Sequence, residues 1–539
     1  MHFFDLNNPN LYIAIILSLF NGILMCFASY KFFQMIQLSG YKLKGYFIWL
    51  KDTKGKYVSR MVLLSLLSAL CVLTTNALFN VYGNAMYSYI GLIFYFYFCI
   101  IFIINLYSAP KKIPLKNTSR MTRLNVAMFL FVAIFSFVLI ALSTEFFGFI
   151  RFGILCVVPV FMPIIVPFMH WFVWPIENII IRHYARLAKR KLKNMQSLIK
   201  IGITGSFGKT STKYILNTIL SQKYKVCMSP HSFNTLTGLS KVVNNYLKID
   251  DEVLIAEMGA RKEGDIKELC DLISPKYGII TGVGTQHLLF FKREEKILDT
   301  KFELISSLPQ DGTAIFNYFN SGSKILYKRC PLSNKILVGN GKIKAQNIKY
   351  DENGTSFSLF IDDKKYDVKT ALIGKHNVEN ILLCVQMAKE LGLTDEQILR
   401  GIELVKPIPH RLELIKNGNT YVLDDSYNAS VEGSRVALEV LRNMPGKRIV
   451  VTPGLVELGS IEYEENYIFG RNISKSADIV IIVNKTNLEG ITSGLEASGF
   501  DMKNVYTAES LDKAKSQLAL LNIDTKTVLF ENDLPDNYM

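Results

Sequence analysis

The chain has 539 residues, room for roughly three or four domains, and half of its residues are hydrophobic. Its formal net charge is +15 and its pI is about 9.2, a balance that first suggests nucleic acid. The cations are not interleaved with aromatic residues as in an RNA-binding platform, and many of them flank apolar segments. We therefore expect no nucleic-acid partner. The eight cysteines form no C-x-x-C pair, so we interpret them as small buried hydrophobes.

Five apolar segments precede residue 180, and each is about as long as the 20-residue helix that crosses about 30 Å of hydrocarbon. The first segment lacks the basic start and the small-residue cleavage site of a signal peptide. We interpret residues 1–180 as a transmembrane domain of about five helices, followed by a basic linker at 181–197. The five segments lie near residues 11–30, 61–80, 87–107, 124–144 and 150–175.

Lysine and arginine alternate between the loops of this domain. They are frequent near 31–60, near 111–123 and after 180, and they do not occur near 81–86 or 145–149. By the positive-inside rule, the N-terminus lies outside and everything after about residue 180 is cytoplasmic. The expected location is the plasma membrane, where the flanking cations contact anionic membrane lipids.

Three prolines, Pro159, Pro163 and Pro167, recur every four residues in the fifth segment. Each removes a helix hydrogen bond, so together they predict a bent segment. One interpretation is a groove for a lipid-linked substrate. The other, which we favour because prolines are common in membrane helices, is a kink with a packing role only.

Residues 203–210 read ITGSFGKT, after an apolar run and before a helical pattern. Glycines let backbone N–H groups close around an anion, and Lys209 and the helix N-terminus add positive charge. Thr210 supplies the hydroxyl expected on Mg²⁺. The segment departs from the standard G-x-x-x-x-G-K-[ST] loop, because Ile203 occupies the first glycine position. It predicts a site for a nucleoside triphosphate.

Strand-like runs alternate with helical patterns from residue 198 to about 400, which predicts βαβ units around a parallel sheet. Residues 335–372 differ, because short alternating runs separated by turns predict an antiparallel insertion. We place a central domain at 198–406 and a second α/β domain at 407–539. The expected strands are 198–203, 252–257, 277–281 and 313–317 in the first, and 421–424, 448–451, 478–483 and 527–530 in the second.

Polar residues follow several of these strands. Glu257 ends one strand, where P-loop proteins place an acid that holds Mg²⁺. His287 follows another, at the sheet edge where α/β folds bind ligands. Asp424 and Asp425 follow a third strand, where a carboxylate can bind ribose hydroxyls or cap a helix. Judged from the residues alone, Lys301 is a surface lysine on a helix.

Together these segments resemble the Mur ligase family of ATP-dependent ligases, which join an amino acid or peptide to a peptidoglycan precursor. EMGA, GKHN-x-x-N and DDSYNA are most similar to the branch that adds D-alanyl-D-alanine to a tripeptide precursor. The motifs are TGSFGKTSTK (204–213), EMGARKEGDI (257–266), GVGTQH (282–287), TKFEL (300–304), GKHNVEN (374–380), PHRLE (409–413) and DDSYNA (424–429).

The resemblance implies a ligand for each group of residues. Glu257 and His287 would hold Mg²⁺ with Thr210, and Lys301 would become a carbamate that helps to hold a second Mg²⁺. The residues expected to bind the cofactor ATP are Thr204, Gly205, Gly208, Lys209, Thr210, Asn380, Arg411 and Asp425.

Within that set, Asn380 and Asp425 would contact the nucleoside, and Arg411 the γ-phosphate. The residues with an implied catalytic role are Lys209, Lys301, His287 and Arg411.

The resemblance also implies a fold class and a reaction. The chain would combine an α-helical transmembrane bundle, a central α/β P-loop ATPase domain and a C-terminal α/β Rossmann-like domain, the last two closing on ATP. A substrate carboxylate would attack the γ-phosphate to give an acyl phosphate and ADP, and an amine would then displace phosphate. Cations around the phosphates would stabilise the developing charge.

The chain departs from the family pattern at four places. Five apolar segments stand where the family has a soluble domain that binds the UDP-sugar precursor. The N-x-N-N segment reads Ser232-Phe233-Asn234-Thr235, and Ser430-Val431 replaces an asparagine-proline pair. Thr452-Pro453-Gly454 precedes the ELG segment. These departures concern the acceptor and amine pockets, and they leave the ATP chemistry unchanged.

We expect a membrane-anchored, ADP-forming amide ligase in cell-wall or surface-polymer precursor synthesis. Its partners would be ATP, an amino acid or dipeptide, and a carboxylate-bearing envelope precursor that the apolar segments suggest is lipid-linked. The alternatives are a polyglutamate-type synthetase, a P-loop ATPase coupled to membrane export, and an inactive scaffold. Apolar segments without deep charges argue against export, and the intact motif residues argue against a scaffold.

Overall fold

The computed structural model describes most of the chain in two compact units, one ending at Ile180 and the other running from Ile181 to Leu534. The described residues are 9–52, 56–83, 86–107, 114–141, 155–156, 158–230, 233–284, 294–427, 430–456, 458–521 and 523–532.

The first unit is helical over its described residues. Four of its helical segments are long and apolar enough to cross a membrane: Leu11–Ala28, Val62–Phe79, Ser119–Ile140 and Val158–Asn194. A fifth helix covers the predicted segment near 87–107, and residues 142–154 lie outside the described part. The helices are α1 (Pro9–Ala28), α2 (Tyr30–Leu38), α3 (Leu43–Asp52), α4 (Lys56–Tyr82), α5 (Met86–Tyr107), α6 (Ser119–Ala141) and α7 (Met162–Asn194).

Helix α7 joins the predicted fifth segment and the predicted basic linker into one helix of 33 residues. Of the three prolines expected to bend it, Pro167 alone lies within its interior. Pro159 belongs to a preceding 3₁₀ turn, and Pro163 lies in the first turn, where backbone N–H groups have no intrahelical partner. The second interior proline is Pro175.

An ion pair joins α6 to α7. Arg123 donates from Nη2 to Glu177 Oε2 at 2.9 Å, and its Nε bonds the other carboxylate oxygen. Glu177 is buried, so this bidentate contact balances a charge that water does not reach. The guanidinium of Arg120 lies 3.8 Å from the ring centroid of Tyr41 beside the same carboxylate.

The second unit begins with a six-stranded parallel sheet in the order β2-β3-β1-β4-β5-β6. Every residue of β3 and of β5 is buried, as expected for a parallel sheet covered on both faces. The predicted parallel sheet is thus confirmed. Its strands are β1 (Ile199–Thr204), β2 (Val226–Met228), β3 (Val253–Glu257), β4 (Tyr277–Ile280), β5 (Thr313–Asn317) and β6 (Lys335–Val338).

Strand β6 corrects one prediction. Residues 335–338 were assigned to the antiparallel insertion, but they pair in parallel with β5. The insertion itself is a three-stranded antiparallel sheet of β7 (Ile343–Asp351), β8 (Gly354–Ile361) and β9 (Lys364–Thr370). The sequence of a four-residue strand shows the same alternation whether the strand pairs in parallel or antiparallel, so its pairing depends on tertiary context.

Helices cover this sheet and connect it to the insertion. Buried residues of α8, α13 and α14 share one core with Phe357 and Leu359 of β8. The insertion therefore packs against the parallel sheet and its helices as part of the same core. The helices are α8 (Lys209–Leu220), α9 (Leu236–Lys241), α10 (Asp265–Ile273), α11 (Glu294–Ser306), α12 (Ser321–Arg329), α13 (Lys375–Glu390) and α14 (Asp395–Glu403).

A second six-stranded sheet follows, in the order β10-β11-β15-β12-β13-β14, with only β10 antiparallel to its neighbour. The four strands predicted here are confirmed, and the two edge strands β10 and β14 were not predicted. The strands are β10 (Glu413–Asn417), β11 (Thr420–Asp425), β12 (Lys447–Thr452), β13 (Ile479–Val483), β14 (Val505–Ala508) and β15 (Lys526–Glu531), and the helices are α15 (Val431–Arg442), α16 (Glu462–Ile473), α17 (Leu488–Glu496) and α18 (Leu511–Leu520).

Helices α16 and α17 meet through glycines. A Cβ at Gly494 would overlap the carbonyl oxygen of Tyr467, and one at Gly470 would overlap the carbonyl oxygen of Ile491. The two backbones can approach this closely because neither position carries a side chain.

Gly494→Ala should therefore destabilise the second unit, although alanine is the better helix former by roughly 1 kcal/mol. We expect a net loss of about 1–3 kcal/mol from overpacking, seen as a lower midpoint in thermal or denaturant unfolding. Gly341→Ala is the control, because nothing lies within 4 Å of a Cβ added there. Equal midpoints for both variants would contradict the glycine contact.

Candidate active site

The predicted phosphate loop joins β1 to α8 at the carboxyl edge of the parallel sheet. Gly208 caps α8 with a φ of +79°, a conformation that favours glycine. A Cβ at Gly205 would overlap the hydroxyl of Thr281. Ser206 N donates to the carbonyl oxygen of Gly282 at 2.6 Å. The segment after β4 thus fixes the loop and requires both glycines.

Lys209 folds back over this loop. Its Nζ donates to the carbonyl oxygens of Gly205 at 2.7 Å and Ser206 at 2.9 Å. Burial lowers the pKa of Lys209 to about 8, Glu257 opposes that change, and Arg411 adds to it. The ammonium of Lys209 is therefore mostly charged at neutral pH. The guanidinium of Arg411 lies close enough to the loop to affect the pKa of this lysine.

Glu257, the last residue of β3, is a buried carboxylate with three side-chain donors. Thr210 Oγ1 and Asn234 Nδ2 each donate to it at 3.1 Å, and Lys213 Nζ lies 3.0 Å away. Burial acts to raise the pKa of Glu257, but Lys213 and Lys209 outweigh it and hold the pKa below its ordinary value. The carboxylate is therefore anionic.

Thr210 and Glu257 suit Mg²⁺, which takes oxygen ligands from one or two protein groups and completes its shell with water and phosphate. The structure brings this predicted pair together at 3.1 Å. No group of three His, Cys, Asp or Glu side chains forms a metal cluster within the described ranges. His287, the other predicted ligand, lies outside those ranges.

Lys213 and Asn234 were not predicted as site residues. Lys213 lies one helical turn after Lys209, and this i, i+4 spacing was the only available signal. The side chain of Lys213 is fully buried, and that of its partner Glu257 is nearly so, at 2% exposure. Asn234 belongs to the segment that departs from the family pattern, yet its side chain bonds Glu257 and its carbonyl oxygen accepts from Gly259 N at 2.9 Å.

Lys301 corrects the expectation of a surface lysine. It lies on α11 and is only 4% exposed. Burial lowers its pKa to about 7, and the nearby charge of Lys209 acts in the same direction. A large fraction of its amine is therefore neutral, and so nucleophilic, at neutral pH.

Two residues predicted to bind the cofactor, Thr204 and Asn380, form side-chain hydrogen bonds within the protein. Thr204 is fully buried and its hydroxyl donates to the carbonyl oxygen of Met258 at 2.9 Å. This hydrogen bond joins the end of β1 to the residue after β3. Asn380 lies against the loop helix, where its Oδ1 accepts from Thr212 Oγ1 at 3.2 Å.

The segment before β10 places Arg411 between two strained residues. His410 and Leu412 have φ values of 59° and 50°, which non-glycine residues rarely adopt. Two acids hold them: His410 Nδ1 lies 2.8 Å from Asp424 Oδ2, and Leu412 N donates to Asp425 Oδ1 at 3.1 Å. The strain is thus offset by hydrogen bonds from β11.

Arg411 and Asp425 lie on the side of the C-terminal sheet that approaches the loop. The guanidinium of Arg411 lies 4.3 Å from the ring centroid of Tyr427. Burial raises the pKa of Asp425 to about 6, while Arg411 and the N–H of Leu412 act to lower it. The segment after β4 also lies close to helix α15, since a Cβ at Gly284 would lie 2.5 Å from Glu432 Oε1.

Lys213→Met should leave Glu257 as an unpaired buried charge. We expect a loss of about 3–5 kcal/mol in the free energy of unfolding, and partial recovery when Glu257→Gln is added. Lys225→Met is the control, since its pair with Asp250 is exposed to solvent and its loss should leave the unfolding midpoint nearly unchanged. Unfolding midpoints decide the outcome, and equal effects of the two lysine substitutions would refute the buried pair.

Two family models match the second unit. The Mur ligase middle domain matches residues 203–388, and the Mur ligase, glutamate ligase domain matches residues 410–530. The UDP-N-acetylmuramoyl-tripeptide–D-alanyl-D-alanine ligase of Bacillus subtilis is 29% identical over 283 residues, which cover 51% of this chain and 60% of that protein. The chain thus spans less than two thirds of this relative.

Solved structures show the same fold. MurF from Acinetobacter baumannii aligns with a TM-score of 0.59 at 23% identity, over 66% of this chain and 77% of that one. MurF ligase from Thermotoga maritima in complex with ADP aligns with a TM-score of 0.58 at 27% identity, over 66% and 80%. With its middle and C-terminal domains, the chain belongs to the Mur ligase family.

Proposed function

We propose that this protein is a membrane-anchored, ATP-dependent amide ligase that forms ADP and builds a cell-envelope precursor. The observation that carries the proposal is the grouping of Lys209, Thr210, Glu257 and Lys301 around one glycine loop. The Bacillus subtilis relative is named as a ligase of this kind, and the Thermotoga maritima structure contains ADP.

The proposed reaction has two steps. A carboxylate oxygen of the acceptor attacks the γ-phosphorus, the bond to the β-phosphate oxygen breaks, and ADP leaves. The amine nitrogen then attacks the acyl carbon and loses a proton, the C–O bond breaks, and inorganic phosphate leaves. Lys209 and Arg411 would stabilise the negative charge that gathers on the transferred phosphoryl group. Mg²⁺, when bound beside Thr210 and Glu257, would supply Lewis-acid polarisation of the phosphates.

Lys301 is proposed to react with dissolved CO₂. The neutral amine attacks the carbon, a proton is released, and an anionic carbamate replaces a buried amine. Burial keeps a large fraction of the amine neutral and therefore reactive, and the positive charge of Lys209 acts against a cation and in favour of an anion there. The carbamate oxygens would then be ligands for a second Mg²⁺.

Membrane anchoring is proposed from the helices of the first unit. Four segments have the length and apolar character to span a bilayer, and only residues 195–198 separate α7 from β1. An acceptor held in the membrane would suit an enzyme built in this way, so we propose a lipid-linked carboxylate. The relatives' name makes a UDP-linked muramoyl tripeptide and D-alanyl-D-alanine the first soluble candidates. Asn380 and Asp425 are proposed to contact the nucleoside.

Lys301→Ala should lower the ligation rate by about 100-fold or more, and a short carboxylate such as acetate should restore part of it. Ligation by the unsubstituted protein should fall as the pH drops through about 7, because the protonated amine cannot take up CO₂. Product formation followed by mass spectrometry checks both. Lys296→Ala, an exposed lysine of the same helix, should change neither. An ATPase coupled to export would be insensitive to Lys301→Ala.

ADP release by the detergent-purified protein with Mg²⁺ and ATP should require a carboxylate acceptor and an amine together. Pairs would include the muramoyl tripeptide with D-alanyl-D-alanine, glutamate as the amine, and lipid-linked carboxylates. An amide product of the expected mass from one pair identifies the substrates. Hydrolysis of ATP that ignores every pair would overturn the ligase in favour of a coupled ATPase.

A further inference from the structure

Glu531, the last residue of β15, is fully buried. Neither oxygen of its carboxyl group has a hydrogen-bond donor among the described residues. An ionised carboxylate in that position would cost several kcal/mol, so the group is expected to be neutral. A neutral carboxylic acid differs from a carboxylate in one respect that matters here: it carries an O–H that can donate.

The residue in register with Glu531 on the adjacent parallel strand is Asp425. Side chains at paired positions of neighbouring strands lie on the same face of the sheet. Asp425 uses Oδ1 to accept from Leu412 N at 3.1 Å, and its backbone oxygen accepts from Asn532 N at 3.2 Å. Its carboxylate thus has acceptor capacity left beside a neutral acid whose O–H can donate.

We propose that Glu531 is a positioning residue: its protonated carboxyl group donates to Asp425 and fixes the orientation of that carboxylate. Asp425 in turn holds Leu412, and with it the strained segment that presents Arg411. The inference rests on the proposed function, since Asp425 and Arg411 are its nucleotide contacts. It extends that function by one residue that touches neither nucleotide nor metal.

The charges around the pair support a single shared proton. Burial first, and then the charge of Asp425, raise the pKa of Glu531 well above its ordinary value. Arg411 acts to lower the pKa of Asp425 and Asp424 acts to raise it. His410 Nδ1 lies 2.8 Å from Asp424 Oδ2, so His410 contacts the neighbouring acid. Loss of this shared proton would place two like charges in one buried site.

The other elements packed against β15 contribute little charge to the pair. The part of β12 at this edge, residues 449–452, is uncharged. Helix α15 packs on β15, but its charged side chains make no hydrogen bond to Glu531 within the described part of the chain. These side chains are Glu432, Arg435, Glu439 and Arg442.

The test is ADP affinity in the presence of Mg²⁺, measured by calorimetry on the full-length protein in detergent between pH 6.5 and 9.5. Glu531→Gln keeps a donor and cannot ionise, so its affinity should stay within about threefold of the unsubstituted protein at neutral pH. As the pH rises, the unsubstituted protein should lose more affinity than Glu531→Gln. Lys209, with a pKa of about 8, loses its charge over the same pH range, which should weaken ADP binding equally in both proteins. The difference between their two pH curves therefore reports the effect of Glu531.

Glu531→Leu removes the donor, and its ADP affinity should be about tenfold lower at every pH. Glu509→Gln, a change to an exposed acid, should reproduce the unsubstituted curve. Coincident pH curves for the unsubstituted protein and Glu531→Gln would overturn the inference, as would normal binding by Glu531→Leu. Failure of the unsubstituted protein to bind ADP at any pH would instead overturn the proposed function and the inference with it.

Discussion

The ion pair between Lys213 and Glu257 is the contact on which the geometry of the glycine loop depends. Both charges are removed from water, which costs several kcal/mol for each ion, and their attraction offsets that cost only when the remaining lone pairs are also bonded. Thr210 and Asn234 provide those bonds. The carboxylate therefore ties the loop helix, strand β3 and the segment before α9 into one arrangement. A loop held in this way needs little reorganisation to receive phosphates.

The second half of the site depends on backbone strain held by acids. Arg411 lies between two non-glycine residues with positive φ, and side chains of β11 bond to both of them. Such conformations persist only where the surrounding structure compensates for them. The C-terminal sheet thus presents its arginine from a fixed backbone.

Elements and motifs were predictable wherever they depend on local sequence. Apolar runs locate the strands of both large sheets, and the glycine loop locates the phosphate site. Direction of pairing is not local, which explains the wrong assignment of β6. Burial is not local either. Judged from its sequence neighbours alone, Lys301 is expected to be exposed, because a lysine among polar residues has the same pattern whether or not other elements cover it. Thr204, Lys213 and Glu531 likewise owe their roles to strands and helices distant in the chain.

The lowered pKa of Lys301 has a consequence for the physiology of such an enzyme. A carbamate forms reversibly, so the proposed modified lysine would be in equilibrium with dissolved CO₂ and would be lost as the cytoplasm acidifies. The activity of such an enzyme would then respond to the concentration of a dissolved gas as well as to its substrates.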